Sequence, residues 1–278
     1  MNATIRFLGT GGAFVNPAEN AHNNALLHLQ DGEDQTFFLI DCGATAPQAL
    51  KELGVPLLNI DKVLLTHLHG GHCGGFEQLV WERKYSWMPE EQKLSDLGTN
   101  LICHPDLVDD VDNHYAPIFD YYVRHGEVMD HNCNEAFDLV PLEAVVWKGF
   151  TLRFVLVRHL PPETPECPEL ITKWAFGITL EHKDAGPLMF YTGDTRIIQP
   201  GDKDWDAMEA APVIFHDCTF APPYPGTVHA HYDEMVEQYP EEIRRKIMLM
   251  HYGTQFNAER IALDEFKGAA VRNMCYSL

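Results

Sequence analysis

The stretch VLLTHLHGGHCGG places three histidines within six positions, directly after an apolar run. Histidine is the commonest metal ligand, because neutral imidazole offers a nitrogen lone pair near pH 7. On an extended backbone His67 and His69 point to the same side, and the two glycines that follow allow a turn that brings His72 toward the same point. This spacing predicts a metal site at the end of a strand.

Three more candidate ligands each close a later apolar run: His159 in FVLVRHLPP, Asp194 in FYTGDT and His251 in IMLMHYG. Strand ends lie at the rim of a sheet, where sites gather in layered α/β folds. Taken singly, each residue has an ordinary structural explanation, since Asp194, for example, could cap a turn. Taken together, five histidines and one carboxylate form a suitable ligand set for two divalent ions.

Apolar or alternating runs bounded by turn residues predict strands on both sides of the histidine stretch. They are TIRFLG, ALLHLQ, TFFLIDC and KVLLTH, then TNLICHP, FDLVPL, AVVWKGFTLRFVLVRH, WAFGITLEH, LMFYTGD, VIFHDCTF and KIMLMHYG. Helices are expected at about 45–53, in GFEQLVWERK, DLVDDVDNHYAPIFDYYVRHG and YDEMVEQY, and as a terminal helix in NAERIALDEFKGA. The polar residues 82–98 are expected to form a mobile loop beside the site. The pattern predicts a single α/β layered domain, residues 1–278, with two sheets.

Composition narrows the classes of function. The 278 residues carry 41 acidic and 20 basic side chains, for a net charge of −21, and no cluster of lysine and arginine stands out. Affinity for nucleic acid depends on such clusters, so no long polynucleotide partner is expected. No apolar run is long enough to cross a membrane, and no signal peptide is visible. Seven cysteines without paired spacing favour a reducing compartment, so a soluble cytoplasmic protein is expected.

The segment THLHGGHCGG resembles the metal-binding signature of the metallo-β-lactamase superfamily, whose usual form is H-x-H-x-D-H. RFLGTGGAF near the start, LIDCGA before the signature, GDT after it and a late strand ending in histidine come in that family's order. FGITLE, YTGDT and FHDCTF are most similar to the ribonuclease Z-like and cyclic-nucleotide phosphodiesterase-like branch. The resemblance covers nearly the whole chain. It implies a four-layer αβ/βα sandwich with metals at one edge of the sheets.

The resemblance also implies a residue for each ligand position. The first metal would be held by His67, His69 and His159. Asp194 would bridge the two ions, and His72 with His251 would hold the second metal. One position departs from the pattern, because Gly71 stands where the family has an acid that ligates the second metal and orients the attacking hydroxide. The second site is therefore expected to be weaker, partly occupied, or completed by a water or another residue.

Catalytic roles follow from the same resemblance. It implies hydrolysis by a metal-bound hydroxide, with Asp194 in the catalytic centre. The proton donor to the leaving group would be His229 in GTVHAHYDEM, where ribonuclease Z-like enzymes place a catalytic histidine, and His231 is the competing choice. Asp217 would orient a histidine or serve as a buried structural acid, and Asp41 would support the metal ligands. Dimers are common in this branch, so a homodimer is expected.

Three functions fit these residues. The favoured one is a phosphodiesterase that acts on a small cyclic nucleotide or a related diester. The second is a hydrolase for a lactone, ester or amide, since this superfamily changes substrate on one metal core. The third is a non-hydrolytic protein, a metal-binding sensor or an oxygen-binding di-iron protein, in which the loss of the acid at position 71 is tolerated. Zinc is the first expectation for a histidine-rich centre, with manganese and iron as alternatives.

Overall fold

Two mixed sheets form the framework of the protein. The computed structural model describes residues 1–85, 98–125, 136–159, 174–222, 228–253 and 255–278. Within these residues the first sheet contains β1 (Asn2–Gly9), β2 (Asn24–Asp31), β3 (Asp34–Ile40), β4 (Lys62–Leu65), β5 (Asn100–Cys103), β6 (Asp138–Pro141) and β14 (Cys275–Ser277). Its order is β14-β1-β2-β3-β4-β5-β6.

The second sheet is built from the later part of the chain. Its described strands are β7 (Ala144–Trp147), β8 (Phe150–Val157), β9 (Ala175–His182), β10 (Gly186–Tyr191), β11 (Ile214–Asp217), β12 (Ile247–Met250) and β13 (Gly268–Ala269). They lie in the order β13-β12-β11-β10-β9-β8-β7. The strands β10 to β13 are parallel to one another, as are β3 to β6 in the first sheet.

Helices flank the two sheets. They are α1 (Ala46–Glu52), α2 (Gly70–Cys73), α3 (Phe76–Tyr85), α4 (Val108–His125), α5 (Lys203–Ala210), α6 (Tyr232–Gln238), α7 (Glu241–Arg244) and α8 (Ala258–Leu263). α1 packs against β1, α5 against β8 and β10, and α8 against β13. This arrangement agrees with the predicted four-layer sandwich. None of the described helices is both long and apolar enough to cross a membrane.

Aromatic packing joins the two sheets. Phe7 in β1 is fully buried, and its ring centroid lies 5.1 Å from that of Phe215 in β11 and 6.3 Å from that of Tyr191 at the end of β10. On the other side, Tyr276 of β14 lies 6.0 Å from Phe7. Such side chains contribute the largest single apolar areas to a core, so Phe7 fixes the distance between the sheets.

Two predicted elements differ in their bounds from those in the structure. The run AVVWKGFTLRFVLVRH is not one strand but the hairpin of β7 and β8, because Lys148 takes a left-handed φ of 55° and turns the chain. The terminal helix predicted in NAERIALDEFKGA ends at Leu263, and Glu265 follows with a φ of 63°. The chain then continues into β13 and β14, so each sheet gains an edge strand from the C-terminal segment.

The polar stretch 82–98 also differs from the expectation at its start. Residues 82–85 complete α3, and Arg83 is buried there, donating hydrogen bonds to Thr99 Oγ1 at 2.9 Å and to the Gly98 carbonyl oxygen at 3.1 Å. Residues 86–97, for which a mobile loop was predicted, lie outside the described part of the chain. The prediction of a single domain over residues 1–278 stays a prediction.

Phe7→Ala is expected to lower the free energy of unfolding by about 3–5 kcal/mol, because it opens a cavity between the sheets. Phe14→Ala is the matched control, since Phe14 is fully exposed and its truncation should leave the stability nearly unchanged. Urea denaturation followed by circular dichroism measures both. A loss in Phe7→Ala no larger than in Phe14→Ala would show that the sheets are held together elsewhere.

Candidate metal centre

The residues predicted to bind metal follow the carboxyl ends of strands at one edge of the two sheets. β8 runs in the same direction as β10, because both are antiparallel to β9. The polar residues at this edge are Asp41 after β3; His67, His69 and His72 after β4; His159 after β8; Asp194 after β10; Asp217 at the end of β11; and His251 after β12. Parallel strands deliver their carboxyl ends to a common edge, which explains how distant segments meet there.

Three histidines and one carboxylate form the first group of donors. His67 Nε2 and His159 Nε2 each lie 3.0 Å from His69 Nδ1. Asp194 Oδ2 lies 3.8 Å from His67 Nε2 and 4.0 Å from His159 Nε2. His69 is exposed to the cleft, and the other three side chains are buried. This is the set expected at the first metal position.

The second group shares an atom with the first. Asp194 Oδ2 lies 3.2 Å from His72 Nε2 and 3.4 Å from His251 Nε2, and all three side chains are buried. A single carboxylate oxygen is therefore close to both groups of imidazoles, as a bridging ligand must be. The structure thus brings together every residue for which a ligand role was predicted.

A buried carboxylate behind the ligands sets their protonation. Asp41 Oδ2 accepts hydrogen bonds from Thr66 Oγ1 at 2.8 Å and from His72 Nδ1 at 2.7 Å. Because Thr66 Oγ1 gives its proton to Asp41, it accepts one from His67 Nδ1 at 3.1 Å. Both histidines therefore donate through Nδ1 and present Nε2 to the side of Asp194. This geometry agrees with the supporting role expected of Asp41.

The other two buried imidazoles are oriented in the same way. His159 Nδ1 donates to the Val228 carbonyl oxygen at 2.9 Å, and His251 Nδ1 faces Asp217 Oδ1 at 3.3 Å. A hydrogen-bond acceptor behind a metal-binding imidazole fixes its tautomer and raises its basicity. The Nε2 atoms of His159 and His251 are accordingly available on the side of the cleft.

Two residues with a strained backbone lie at the same edge. Asp41 and His251 adopt left-handed φ angles of 60° and 59°, which side chains with a Cβ rarely take. Each such residue costs on the order of 1–3 kcal/mol and persists where its surroundings hold it in place. The strain falls on one supporting acid and one predicted ligand, as is typical of a functional site.

The electrostatics of the centre favour a cation. Burial lowers the pKa of His159 to about 4 and holds that of His67 well below its ordinary value, so both are neutral near pH 7. Burial also opposes charge on His72, yet Asp194 and Asp41 raise its pKa to about 10. In spite of its own burial, Asp194 has a pKa well below the ordinary range because of His251 and His72. A divalent ion would take the place of the proton on His72.

The donor set fits a divalent metal. Asp194 Oδ1 is buried and has no hydrogen-bond partner among the described residues, although a buried carboxylate oxygen normally has one. A cation beside it would satisfy this oxygen. Imidazole nitrogens with a carboxylate oxygen suit zinc, iron and manganese rather than calcium. The residues therefore agree with the divalent metal expected from the sequence, and which metal is bound stays a prediction.

His229, the residue predicted to be the proton donor, lies beside the predicted metal ligands. Its ring lines the cleft, stacks on His251 with centroids 4.6 Å apart, and lies 5.2 Å from the ring of His159. His229 Nδ1 donates to Asp217 Oδ2 at 2.7 Å, and the backbone N–H of Thr195 donates to the same oxygen at 2.9 Å. Asp217 thus faces His229 with one oxygen and His251 with the other.

His231, the competing choice for the proton donor, is placed differently. It is buried, stands at the N-cap of α6, and its Nδ1 donates to the Ala221 carbonyl oxygen at 2.9 Å. It is not among the residues that line the cleft. The geometry therefore favours His229 over His231, and the catalytic role of either stays a prediction.

Residues around position 71 include one that the sequence did not single out. Asn24 donates to the Gly71 carbonyl oxygen at 3.0 Å and accepts from the Gly43 N–H at 3.1 Å. His22 lines the cleft together with Asn23, and burial lowers the pKa of His22. In the sequence His22 lies between the glycine-rich segment LGTGG and β2, and this position does not indicate the direction of its ring.

A family model described as anti-Pycsar protein Apyc1 matches residues 3–275 of the sequence. The chain belongs to the anti-Pycsar protein Apyc1 family. A relative from Paenibacillus xerothermodurans, itself an anti-Pycsar protein Apyc1, is 32% identical over 261 residues, which cover 91% of this chain and 88% of the relative.

Solved structures show which fold the chain has. The metallo-β-lactamase fold protein YhfI from Bacillus subtilis has a TM-score of 0.70 at 16% identity and covers 100% of both chains. A diphosphatase from the PhnP family has a TM-score of 0.64 at 16% identity, over 99% of this chain and 98% of the diphosphatase. These similarities confirm the metallo-β-lactamase fold for this member of the Apyc1 family.

Zinc added to chelator-stripped protein is expected to stabilise it by about 4 kcal/mol at a thousandfold excess over the dissociation constant, a rise in Tm of roughly 10 °C. His67→Ala should remove most of this rise, since it deletes a first-position donor. His182→Ala is the control, because His182 is buried at the opposite edge of the second sheet. Differential scanning calorimetry with and without zinc measures the effect. A full rise in His67→Ala would contradict the assignment of this ligand.

Proposed function

We propose that this protein is a metal-dependent phosphodiesterase that hydrolyses a small cyclic nucleotide. The observation that carries the proposal is the position of one buried oxygen, Asp194 Oδ2, between two groups of imidazole nitrogens at distances of 3.2 to 4.0 Å. Membership of the Apyc1 family supports phosphodiester chemistry on such a centre. The metallo-β-lactamase fold supports it as well, because this fold places metals at the same sheet edge.

Two divalent ions fit the two groups of donors. The first would be held by His67, His69, His159 and Asp194, and the second by His72, Asp194 and His251. When bound, the metals supply a water of lowered pKa as the nucleophile and positive charge for the phosphate oxygens. Zinc is the metal we propose, because imidazole nitrogens dominate the donor set.

Opening a cyclic diester leaves an alkoxide on the ribose, which needs a proton as the P–O bond breaks. His229 is the group we assign to this step. Burial opposes its charge, but Asp217 and the hydrogen bond that it accepts raise the pKa of His229 to about 9. Asp217 therefore favours the protonated form of the ring, which this step needs, and holds it at the cleft beside the proposed ligands.

The charge of the cleft fits a small diester. Among the described residues that line it, none is lysine or arginine, and Gly11, Gly12 and Gly70 give the backbone close access to the centre. The metals and His229 would therefore provide the positive charge that neutralises a single phosphate. A long polyanion would need further basic contacts, and the net charge of −21 opposes it. The homodimer and the cytoplasmic location expected from the sequence stay predictions.

A substrate panel tests the proposal. We expect the zinc-loaded protein to hydrolyse 3′,5′- or 2′,3′-cyclic nucleotides and bis(p-nitrophenyl) phosphate, and to leave simple lactones intact. The reason is that the positive charge of the proposed centre favours a negatively charged phosphate over a neutral lactone. Liquid chromatography of the products measures turnover, and His67→Ala serves as the inactive control. Turnover of lactones alone would favour the ester and lactone alternative. Bound iron with an oxygen-dependent absorption band and no turnover would favour the non-hydrolytic one.

Removing the proton donor should affect substrates according to their leaving groups. His229→Ala is expected to lower kcat on cyclic nucleotides by about 10²–10⁴-fold. Its effect on bis(p-nitrophenyl) phosphate should be small, because p-nitrophenolate leaves without a proton. The loss of wild-type kcat as the pH rises through the pKa of His229 should also disappear in the variant. His231→Ala is the control and should keep the wild-type kcat on both substrates. Equal losses on both substrates would contradict a proton-donor role.

A further inference from the structure

The glycine at position 71 is not required by the fold. A Cβ at this position would lie 3.6 Å from His22 Cδ2, 3.7 Å from His22 Cγ and 4.0 Å from His22 Cβ, which is ordinary van der Waals contact. Gly71 lies in α2, where any residue can adopt the helical backbone. A side chain is therefore absent without a steric reason. The three atoms nearest to this position all belong to the His22 side chain.

The backbone of His22 is anchored on both sides. It forms an isolated β-bridge with Gly11, and its N–H donates to Thr45 Oγ1 at 2.8 Å. The next N–H, of Asn23, donates to the Gly11 carbonyl oxygen at 2.9 Å. The imidazole of His22 is thus presented to the cleft from a fixed segment that lies across from α2.

The hydrogen bonding of His22 leaves one nitrogen available. His22 Nε2 contacts the Ala13 carbonyl oxygen at 3.4 Å, and a carbonyl oxygen only accepts, so Nε2 carries the proton. Nδ1 is then an acceptor with a lone pair. It is buried and has no hydrogen-bond partner within the described residues, which is also true of Asp194 Oδ1 in the same cleft. A buried acceptor without a donor costs about 1–3 kcal/mol, so a donor is expected to face it.

We propose that His22 stands in for the missing acid at position 71: its Nδ1 accepts a hydrogen bond from a water at the second metal position and holds that water in place. The donor atoms of His72, Asp194 and His251 lie within 4.8 Å of one another, and His22 is outside this group. Its imidazole therefore acts through the water and not as a direct ligand. His22 is a positioning residue of the proposed metal centre, on which this inference rests.

Zinc titration of chelator-stripped protein by calorimetry tests the inference without reference to activity. Wild type should bind two zinc ions. His22→Phe keeps an aromatic ring against Gly71 but has no acceptor, so it should bind the second ion 10–100-fold more weakly. His22→Asn, whose Oδ1 can take the place of Nδ1, should keep most of that affinity. His28→Ala is the control, because the His28 ring packs on Phe37 in the first sheet, away from the cleft. Melting temperatures confirm that each variant is folded.

A second substitution decides between a chemical and a packing role. In His22→Phe/Gly71→Asp, the new carboxylate can ligate the second ion directly, so the second zinc should return. Undiminished second-site affinity in His22→Phe would overturn the inference. The inference would also be overturned if both His22→Phe and His22→Asn lost second-site affinity and Gly71→Asp did not restore it in His22→Phe. The His22 ring would then only maintain the conformation of the loop. Binding of a single zinc ion by the wild type would refute the second metal position and, with it, this inference. The proposed hydrolysis would then still be tested by the substrate panel, because it could take place at the first metal position.

Discussion

A buried carboxylate oxygen surrounded by imidazole nitrogens is the constraint on which the rest of the site depends. Asp194 Oδ2 has four such nitrogens within 4.0 Å, yet its partner Oδ1 has no hydrogen bond in the described chain. Behind the imidazoles, two further buried acids each contact the Nδ1 atom of one ring: Asp41 that of His72 and Asp217 that of His251. Three buried acids need compensating positive charge. The left-handed backbone at Asp41 and His251 is tolerated because this arrangement holds it.

The sequence predicted the fold and the ligand geometry to the extent that these depend on local pattern. His67, His69 and His72 lie in one short stretch, and Asp194 and His251 each end an apolar strand, so periodicity and order along the chain were sufficient. The hairpin at Lys148 was missed because a non-glycine residue takes the left-handed conformation there. The strand β14 was missed because its three residues gain their strand conformation only by pairing with β1.

The surroundings of position 71 could not be predicted for a different reason. The sequence shows that an acid is missing at position 71. The side chain that faces this position is that of His22, which lies 49 residues earlier in the chain. The direction of the His22 ring is set by a bridge to Gly11 and a hydrogen bond to Thr45, neither of which leaves a sequence pattern. Compensation between distant segments is therefore found in the structure alone.

The absence of a ligand carboxylate at position 71 also changes the charge of the centre. With Gly71 in place of an acid, Asp194 is the single carboxylate in the two donor groups that share it. Two divalent ions there would keep more net positive charge than in the usual pattern, which strengthens their hold on phosphate oxygens and lowers the pKa of bound water further. The softer donor set also shifts preference toward zinc and away from manganese. The loss of the acid is thus compatible with hydrolysis, provided that another group orients the nucleophilic water.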